Sequence, residues 1–427
     1  MAAWERGRRQ RSLTAELLLA AAVLELPAPE LLYLDPPSPA EGMRGRAAPV
    51  GEGKERCSIS QSTRQPKTIK KPLSNTLVHY YPFSGRLISG ADADEFYIRC
   101  TDEGAEVVAA SANCALKEVK SFDKTLLAKL TVDSPHQGHH ATYPLLSLQV
   151  TEFSCGGFIL AVTWNHAIAD GVGIAQLIGA LGELARGLSS PSIVPVRWDD
   201  SVSSWSPPFN EMQQTMSPEP LALVPLDIAI PLSTINRIKA KFCSYFSGQQ
   251  CTMFEVVIAI LWQCRTRATV SNPETQVFIS FVADVRKHVG AKDGYYGNCL
   301  TDHVVKATSN MVANTDIMNL VMMIKHAKDQ IPNKFKKNAS NDSNQLQGLD
   351  GPYNKLHLSS WRNIGFDEVD FGSGRVARVM CYGPRAPVPI CIMLIPCKGK
   401  DGAALLSTEV VKEEHATAFL EELARFM

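Results

Sequence analysis

The sequence predicts an α/β fold with two similar lobes, and three observations lead to this prediction. The chain has 427 residues, enough for two domains, and its 45% hydrophobic and 20% charged residues are ordinary for a globular enzyme. Strand patterns and helix patterns are mixed within each half of the chain. Between the halves, residues 191–220 are rich in Ser, Pro, Asp and Trp without helical or strand periodicity, which is typical of a crossover between domains.

The charge balance indicates which partners to expect. Lys plus Arg and Asp plus Glu each total 43, so the formal net charge is zero. Such a chain has no overall field to gather nucleic acid or an anionic membrane, and small molecules are the expected partners. The longest apolar run, residues 17–24, is far shorter than a membrane span and lies between Glu16 and Glu25. No membrane segment is therefore expected.

The cysteines point to a reducing compartment. Their number, 11, is odd, and no C-x-x-C pair occurs, so neither a disulfide framework nor a zinc site is indicated. We expect reduced, mostly buried thiols and a cytoplasmic protein. A cluster of His136, His139 and His140 lies in a Pro/Gly-rich loop and is interpreted as a surface cluster rather than a metal site, because a complete ligand set is missing.

The first 67 residues are predicted to form a leader outside the first lobe. Pro, Gly and charged residues dominate residues 27–71, a composition typical of poorly structured segments. An alternative is a short signal peptide, since a basic segment at residues 6–11 precedes the eight apolar residues.

The first lobe contains a strand–loop–helix unit that could carry chemistry. A helix begins near Pro72, and the alternation at residues 146–151 predicts a half-buried strand. The apolar run 158–164 predicts a buried strand, and the apolar spacing in 171–187 predicts a helix. The polar loop 165–171 between them lies where α/β enzymes place reactive groups, because the sheet holds such a loop rigidly.

The second half of the chain shows similar patterns. The most specific is a capping box formed by Thr252 and Glu255, which should open a helix over 253–268. The remaining predicted elements are a strand at 276–282, a helix at 316–330, strands at 388–395 and 404–410, and a final helix at 412–427.

The loop 165–171 carries the pattern His166-x-x-x-Asp170-Gly171, which is weak when it stands alone. It is accompanied by Asp370-Phe371-Gly372-Ser373-Gly374 about two hundred residues later. Together these motifs resemble the plant BAHD acyl-CoA-dependent acyltransferases, whose signatures are H-x-x-x-D-G and D-F-G-W-G. Further segments follow in the family's order over roughly residues 68–427: NTLVHYYPFSGRL at 75–87, residues 254–268, YYGNC at 295–299 and Ser360-Trp361.

The resemblance implies a two-lobed fold of the chloramphenicol acetyltransferase type, with mixed sheets, helices and an active-site channel between the lobes. Coenzyme A would enter this channel from one face and the acceptor from the other. The implied domains are an N-terminal lobe at 68–195, joined by about 372–397, a crossover at 196–225 and a C-terminal lobe at 226–427.

The resemblance also implies the reaction. His166 would act as general base, because a neutral imidazole must take the proton of an alcohol or amine as it attacks the thioester carbonyl of acyl-CoA. With both substrates bound at once, the acyl group passes directly between them and no Ser or Cys nucleophile is needed. Acyl-CoA is then a co-substrate, no cofactor is permanently bound, and the family's habit predicts a monomer.

The other motif residues are expected to be structural. In the family the motif Asp pairs with an Arg of the second lobe, which corresponds here to Asp170 and Arg286. The alternative is a triad in which Asp170 orients the His166 ring. The segment Asp370 to Gly374 should form a tight turn away from the acceptor.

Two departures from the family affect these expectations. Ser373 stands where the family has Trp, and such a loss of volume costs roughly 3–5 kcal/mol unless larger neighbours fill the space. We expect such neighbours, and a Ser hydroxyl that can still donate one hydrogen bond. The second departure is the poorly matching N-terminus, which keeps open a catalytically degenerate paralogue that acts as a binding protein. A carrier-protein condensation domain is less favoured because Asn165 stands where such domains have a second His.

Overall fold

The computed structural model describes residues 10–11, 19–26, 58–61, 67–89, 95–100, 103–118, 124–132, 143–200, 202, 221–335, 351–382, 388–395 and 403–427. Its strands are β1 (Gln10–Arg11), β2 (Leu19–Leu26), β3 (Ile59–Gln61), β4 (Arg86–Ser89), β5 (Glu95–Arg99), β6 (Glu106–Ala112), β7 (Leu146–Phe153), β8 (Phe158–Asn165), β9 (Leu226–Pro231), β10 (Gln276–Asp284), β11 (Leu300–Thr308), β12 (Lys355–Ser360), β13 (Arg378–Tyr382), β14 (Ile390–Leu394) and β15 (Ala403–Glu409). Its helices are α1 (Lys67–His79), α2 (Lys124–Leu130), α3 (Gly171–Ala185), α4 (Leu232–Tyr245), α5 (Met253–Thr269), α6 (Arg286–Val289), α7 (Ser309–Asn314), α8 (Ile317–Asp329) and α9 (Glu413–Ala424). No helix within these ranges is long and apolar enough to cross a membrane.

The first lobe is built on a six-stranded sheet with the order β13-β2-β8-β7-β6-β3. Strand β8 is a continuous apolar run, as expected of a strand covered on both faces. Helix α3 presents Ile174, Leu177 and Ile178, all fully buried, to the core of this lobe at helical spacing. The strand–loop–helix unit expected from the sequence is therefore present.

Strand β7 is more deeply buried than its alternating sequence predicts. Its polar residues include Gln149 and Thr151, which are 5% and 0% exposed. The Gln149 amide donates to the Lys129 carbonyl and to the Thr151 hydroxyl, at 2.8 and 3.2 Å. Because these hydrogen bonds satisfy the polar groups, the second face of the strand can be buried at little cost.

The leader contributes to the first lobe instead of preceding it, which corrects the assignment of residues 1–67. Strand β2 pairs antiparallel with β8 along Leu19–Leu26, and β13 pairs with its other edge. Strand β3 also lies in this sheet, paired with β6, and helix α1 begins at Lys67. An apolar run of eight residues is too short for a membrane but suits a strand with neighbours on both sides.

The second lobe is built on a six-stranded sheet with the order β11-β10-β12-β14-β15-β9. Helix α5 is the centre of its core, and it opens with the expected capping box between Thr252 and Glu255. Helix α8 is capped by Asp316, whose side chain accepts from the Met318 amide at 2.9 Å. Strand β9, at the edge of this sheet, begins at Leu226.

The late segment 372–397 is divided between the two lobes, which corrects its assignment to the first lobe alone. Strand β13 pairs with β2 in the first sheet, but β14 pairs with β12 and β15 in the second. The crossover 196–225 is held to the second lobe near both ends, by bridges from Val196 to Tyr295 and from Leu223 to Lys412. Most of the crossover and the loop of His136, His139 and His140 lie outside the described residues.

Most of the described cysteines are free thiols, as expected, and four of these are buried. Cys114 is an exception, because it is disulfide-bonded. Pairing depends on which residues the fold brings together, so an odd cysteine count did not reveal this bond.

Candidate active site

The loop between β8 and α3 is held in shape by its own residues. The Asn165 side chain accepts from the Ala167 amide at 2.9 Å, and its carbonyl accepts from the Ile168 amide at 3.0 Å. From the buried strand, the Trp164 indole donates to the Ala169 carbonyl at 3.0 Å. The sheet and this local network therefore fix the backbone on both sides of His166.

His166 is half-buried and its ring stacks on Trp164, with 6.2 Å between ring centroids and 28° between planes. Asn298 of the second lobe donates to the His166 carbonyl at 2.6 Å. Burial lowers the pKa of His166, while the charge of Asp170 acts in the opposite direction. The imidazole is therefore neutral at neutral pH, which is the form that can accept a proton.

The carboxylate of Asp170 is fully buried and serves as the N-cap of α3. Among the described residues, its oxygens accept from the backbone amides of Gly173 and Cys299, both at 3.0 Å, and from Arg286. None of these hydrogen bonds joins the ring of His166. Asp170 acts on the imidazole through its charge, and the geometry does not form the triad considered from the sequence.

Arg286 connects the loop of His166 with the second lobe. Its Nη2 donates to both oxygens of Asp170, at 2.8 and 2.9 Å, so the ion pair expected from the sequence is present. The guanidinium also donates to the carbonyls of Tyr295 and Gly297, at 3.0 and 2.7 Å, and to Asp284 at 3.0 Å. Burial acts to lower the pKa of Arg286, but the two carboxylates raise it above the ordinary value, so the side chain stays charged.

Two glycines of α3 allow other segments to approach closely. A Cβ on Gly173 would lie 2.0 Å from the carbonyl oxygen of Tyr296, and one on Gly182 would lie 2.4 Å from that of Asp370. At Gly171 the nearest atom is not backbone: a Cβ there would lie 2.9 Å from the end of the Ile364 side chain. The helix thus touches the second-lobe segment 295–299 near its start and the 370–374 turn near its end.

The segment Asp370 to Gly374 forms the expected tight turn. The Asp370 side chain accepts from the amides of Gly372 and Gly374, at 2.7 and 3.0 Å, and both glycines have left-handed φ angles of 100° and 96°. Phe371 packs edge-on against Phe158 with 6.3 Å between ring centroids. The turn contacts Gly182, which lies on the order of 18 Å along α3 from Asp170, so it is far from the loop of His166.

Ser373 differs from expectation in its hydrogen bonding. Its hydroxyl oxygen is buried and has no hydrogen-bond partner within the described part of the chain. That larger neighbours fill the space of a Trp ring stays a prediction.

The structure brings together His166, Asp170, Gly171 and Arg286, whereas the 370–374 turn lies elsewhere. Sequence reasoning did not assign a role to Asn298 or to the backbone amide of Cys299. Both belong to the segment YYGNC at 295–299, whose match to the family was a signal without a stated function. Their roles depend on contacts between the lobes, which the order of residues does not show.

Comparisons with known proteins agree with this geometry. A family model described as "Transferase family" matches residues 56–424. The chain is 41% identical over 388 residues to "Acyl transferase 15" of Oryza sativa subsp. japonica, with 84% of this chain and 86% of the relative covered. It is 34% identical over 397 residues to "Myricetin 3-O-glucosyl 1,2-rhamnoside 6'-O-caffeoyltransferase AT1" of Crocosmia x crocosmiiflora, covering 84% and 87%.

Solved structures show the same fold at low sequence identity. Vinorine synthase superposes with a TM-score of 0.72 at 17% identity, covering 99% of this chain and 94% of that one. TRI101 of F. sporotrichioides, complexed with coenzyme A and T-2, superposes with a TM-score of 0.65 at 14% identity, covering 97% and 96%. These two proteins therefore support the two-lobed chloramphenicol acetyltransferase-like fold.

Proposed function

The chain belongs to the BAHD acyltransferases of the Transferase family, and we propose that it moves an acyl group from acyl-CoA to the hydroxyl or amine of a small plant metabolite. His166 is the general base of this proposal. It takes the proton of the acceptor as the acceptor oxygen or nitrogen bonds to the thioester carbonyl carbon. The carbon–sulfur bond then breaks, and the proton passes to the coenzyme A thiolate.

The observation that carries the proposal is a neutral imidazole held between the lobes. Burial keeps His166 unprotonated, and its backbone is fixed by Asn298 from the second lobe. Asp170, Gly171 and Arg286 have a structural part, because the Asp170–Arg286 ion pair locks the loop to the second lobe. The turn from Asp370 to Gly374 has a structural part at the far end of α3, where the Asp370 carbonyl lies against Gly182 and accepts from Arg186.

The names of related proteins favour a hydroxyl acceptor and a coenzyme A thioester. The Crocosmia relative is named as an O-caffeoyltransferase, and a Taxus cuspidata relative, 31% identical, as a 2-O-benzoyltransferase. TRI101 was solved with coenzyme A and T-2. We therefore propose that acyl-CoA and a small alcohol bind in a channel between the lobes, with acyl-CoA as a co-substrate and no permanently bound cofactor.

Thiol release from a panel of acyl-CoAs and alcohols tests the proposal. We expect wild-type protein to release free coenzyme A only when an acceptor is present, and His166→Ala to lose at least about 10²–10⁴-fold in rate. Circular dichroism and the urea midpoint of His166→Ala should match wild type. If the wild-type protein binds acyl-CoA but releases no thiol with any acceptor, the binding-protein alternative replaces the enzyme.

A cytoplasmic monomer stays a prediction. Size-exclusion chromatography of the purified chain would check the monomer. Cell fractionation of tagged protein would check the compartment.

A further inference from the structure

The second sheet has one face that is directed towards the first lobe. Along β14, Cys391 and Met393 belong to the core beneath the second-lobe helices, whereas Ile392 and Leu394 pack into the core of the first lobe. Successive side chains of a strand point to opposite faces. The face that carries Ile392 and Leu394 therefore lies between the lobes.

Strand β12 places polar side chains on this same face. His357 and Ser359 pair in register with Ile390 and Ile392 of β14, so these residues share a face. Trp361 follows on that face, immediately after the strand, and it packs into the first-lobe core. Lys355 and His357 thus face the first lobe, whereas Leu356 and Leu358, which alternate with them, face the second-lobe helices.

Four polar side chains meet there, and we call Ser280, Asp302, Lys355 and His357 the inter-lobe polar cluster. The Ser280 hydroxyl and His357 Nδ1 are 2.8 Å apart, and Lys355 Nζ is 3.7 Å from Asp302 Oδ2. The side chains of Lys355 and Asp302 are only 1% and 10% exposed. Ser280 is fully buried and His357 is 8% exposed. Keeping two charges and two polar groups this deep is costly, which suggests a functional reason for them.

The cluster has a hydrogen-bonding site left over. Asp302 Oδ1 is buried and accepts no hydrogen bond from the described residues. On the ring of His357, Nδ1 is committed to Ser280, so Nε2 is the nitrogen available to a ligand. Burial lowers the pKa of His357. The charge of Asp302 raises this pKa and the charge of Lys355 lowers it further, so the ring is neutral.

The charges of the cluster define what can bind. Lys355 and Asp302 cancel, and an anion would be repelled by the free oxygen of Asp302, while a cation would be repelled by Lys355. A purely apolar group would leave that oxygen unpaired. A neutral hydroxyl carries no charge and can still form hydrogen bonds: it can donate to the Asp302 carboxylate and form a second hydrogen bond with His357. A phenolic hydroxyl, which is more acidic than an aliphatic one, is the better donor to a carboxylate.

The position of the cluster suits the far end of a substrate. His357 lies four residues before Trp361 on a strand, or about 13 Å away. Beyond Trp361, Ile364 reaches to Gly171 at the start of α3, next to the loop of His166. A substrate that extends along this face from His166 would therefore direct its distal end towards the cluster.

We propose that the inter-lobe polar cluster binds a phenolic hydroxyl at the distal end of a substrate, with His357 and Asp302 as specificity-determining residues. This inference rests on the proposed acyl transfer. The hydroxyl can belong to the acyl donor or to the acceptor, because both meet at His166.

Matched substrate pairs test the inference and identify the source of the hydroxyl. The donor pair is p-coumaroyl-CoA and cinnamoyl-CoA, assayed with one acceptor, and the acceptor pair is p-coumaryl alcohol and cinnamyl alcohol, assayed with one donor. For one pair, we expect wild-type kcat/KM to favour the hydroxylated member about tenfold, and His357→Leu to reduce this preference to about threefold or less. The reduction should come from a lower kcat/KM for the hydroxylated member.

His303→Leu is the matched control. His303 is also a buried histidine, 6% exposed, and it neighbours Asp302 on β11. Its ring lies 5.5 Å from that of Phe281, which belongs to the helix-side core, so it occupies the opposite face. The substrate preference should be unchanged in this variant. Ser280→Ala, which removes only the partner of the His357 ring, should lower the preference partly and serves if His357→Leu does not fold.

Two outcomes overturn the inference: no preference for either hydroxylated member in wild type, or a preference that persists in both His357→Leu and Ser280→Ala. If wild-type protein releases no thiol, the proposed acyl transfer fails separately. Dissociation constants for the same pairs, measured by calorimetry with wild type and His357→Leu, then decide the inference by the same ratios.

Discussion

Replacing Arg286 by Leu is the sharpest perturbation of the link between the two lobes. The variant removes both hydrogen bonds that Nη2 makes to Asp170, at 2.8 and 2.9 Å, and leaves a fully buried carboxylate with two backbone donors. Removing one partner of a buried ion pair costs about 3–5 kcal/mol, because the remaining charge is uncompensated. We expect a loss of this size in the free energy of unfolding.

The double variant Asp170→Asn/Arg286→Leu separates charge from shape. It leaves no buried charge unpaired, because the remaining partner of Arg286, Asp284, is 44% exposed, so it should be more stable than Arg286→Leu alone, even though the cap of α3 is weakened. Arg286→Lys is the matched charge-retaining control. It should lie between wild type and Arg286→Leu, because an ammonium group cannot bond to Asp170 and to the carbonyls of Tyr295 and Gly297 in the same fork geometry.

Urea denaturation followed by circular dichroism measures these stabilities, and thiol release measures activity. The Asp170 charge raises the pKa of His166, so in folded Asp170→Asn the acid limb of the pH–rate profile should move to lower pH. A loss of less than about 1 kcal/mol in the free energy of unfolding of Arg286→Leu would show that the Asp170–Arg286 ion pair does not hold the two lobes together, because that is the range of an exposed ion pair. Full stability of Asp170→Asn with a large loss of kcat would restore the triad.

Three further outcomes are expected. Gly173→Ala should be strongly destabilised, because its Cβ would lie 2.0 Å from the Tyr296 carbonyl oxygen. Gly179→Ala, with open space at its Cβ, is the matched control. Equal urea midpoints of the two variants would contradict the close approach. Ser373→Ala should gain about 1 kcal/mol of stability by removing a buried hydroxyl without a partner, and a loss measured by urea denaturation would show that the hydroxyl is satisfied. Burial lowers the pKa of His166 and of His357 below the ordinary value of 6.5, so the unfolded chain binds more protons than the folded one below that pH. The histidine contribution to stability should therefore be complete above about pH 6.5 and decline on acidification, with a smaller decline in His166→Gln; an unchanged pH dependence in that variant would contradict burial of a neutral imidazole.

Much of the local structure follows from the sequence because local patterns specify it. The capping box at Thr252 and Glu255 and the apolar spacing after Gly171 predicted helices within a few residues of their bounds. These signals involve residues three or four positions apart, which a helix brings into contact by its own geometry. The family motifs added the pairing of Asp170 with Arg286, which local patterns alone do not indicate.

The leader and the late segment show where local patterns are insufficient. The apolar run 17–24 is compatible with a signal peptide, a buried strand or a short helix, and only the pairing of β2 with β8 and β13 decides among them. The assignment of segment 372–397 to one lobe was wrong for the same reason. Strands β13 and β14 are both short, and which sheet each one joins depends on partners that are distant in the sequence.

The sequence by itself determined the motifs, the family and the residue proposed as the base, because these are properties of residue types at fixed spacing. The tertiary structure decided that Asn298 and the Cys299 amide support the catalytic loop and that Lys355, Asp302 and His357 share a face between the lobes. Those residues come from separate strands and loops, and their contacts depend on strand register and on the docking of two lobes. Side-chain burial and pKa are set by the same packing, since the loss of water around a group depends on everything that surrounds it.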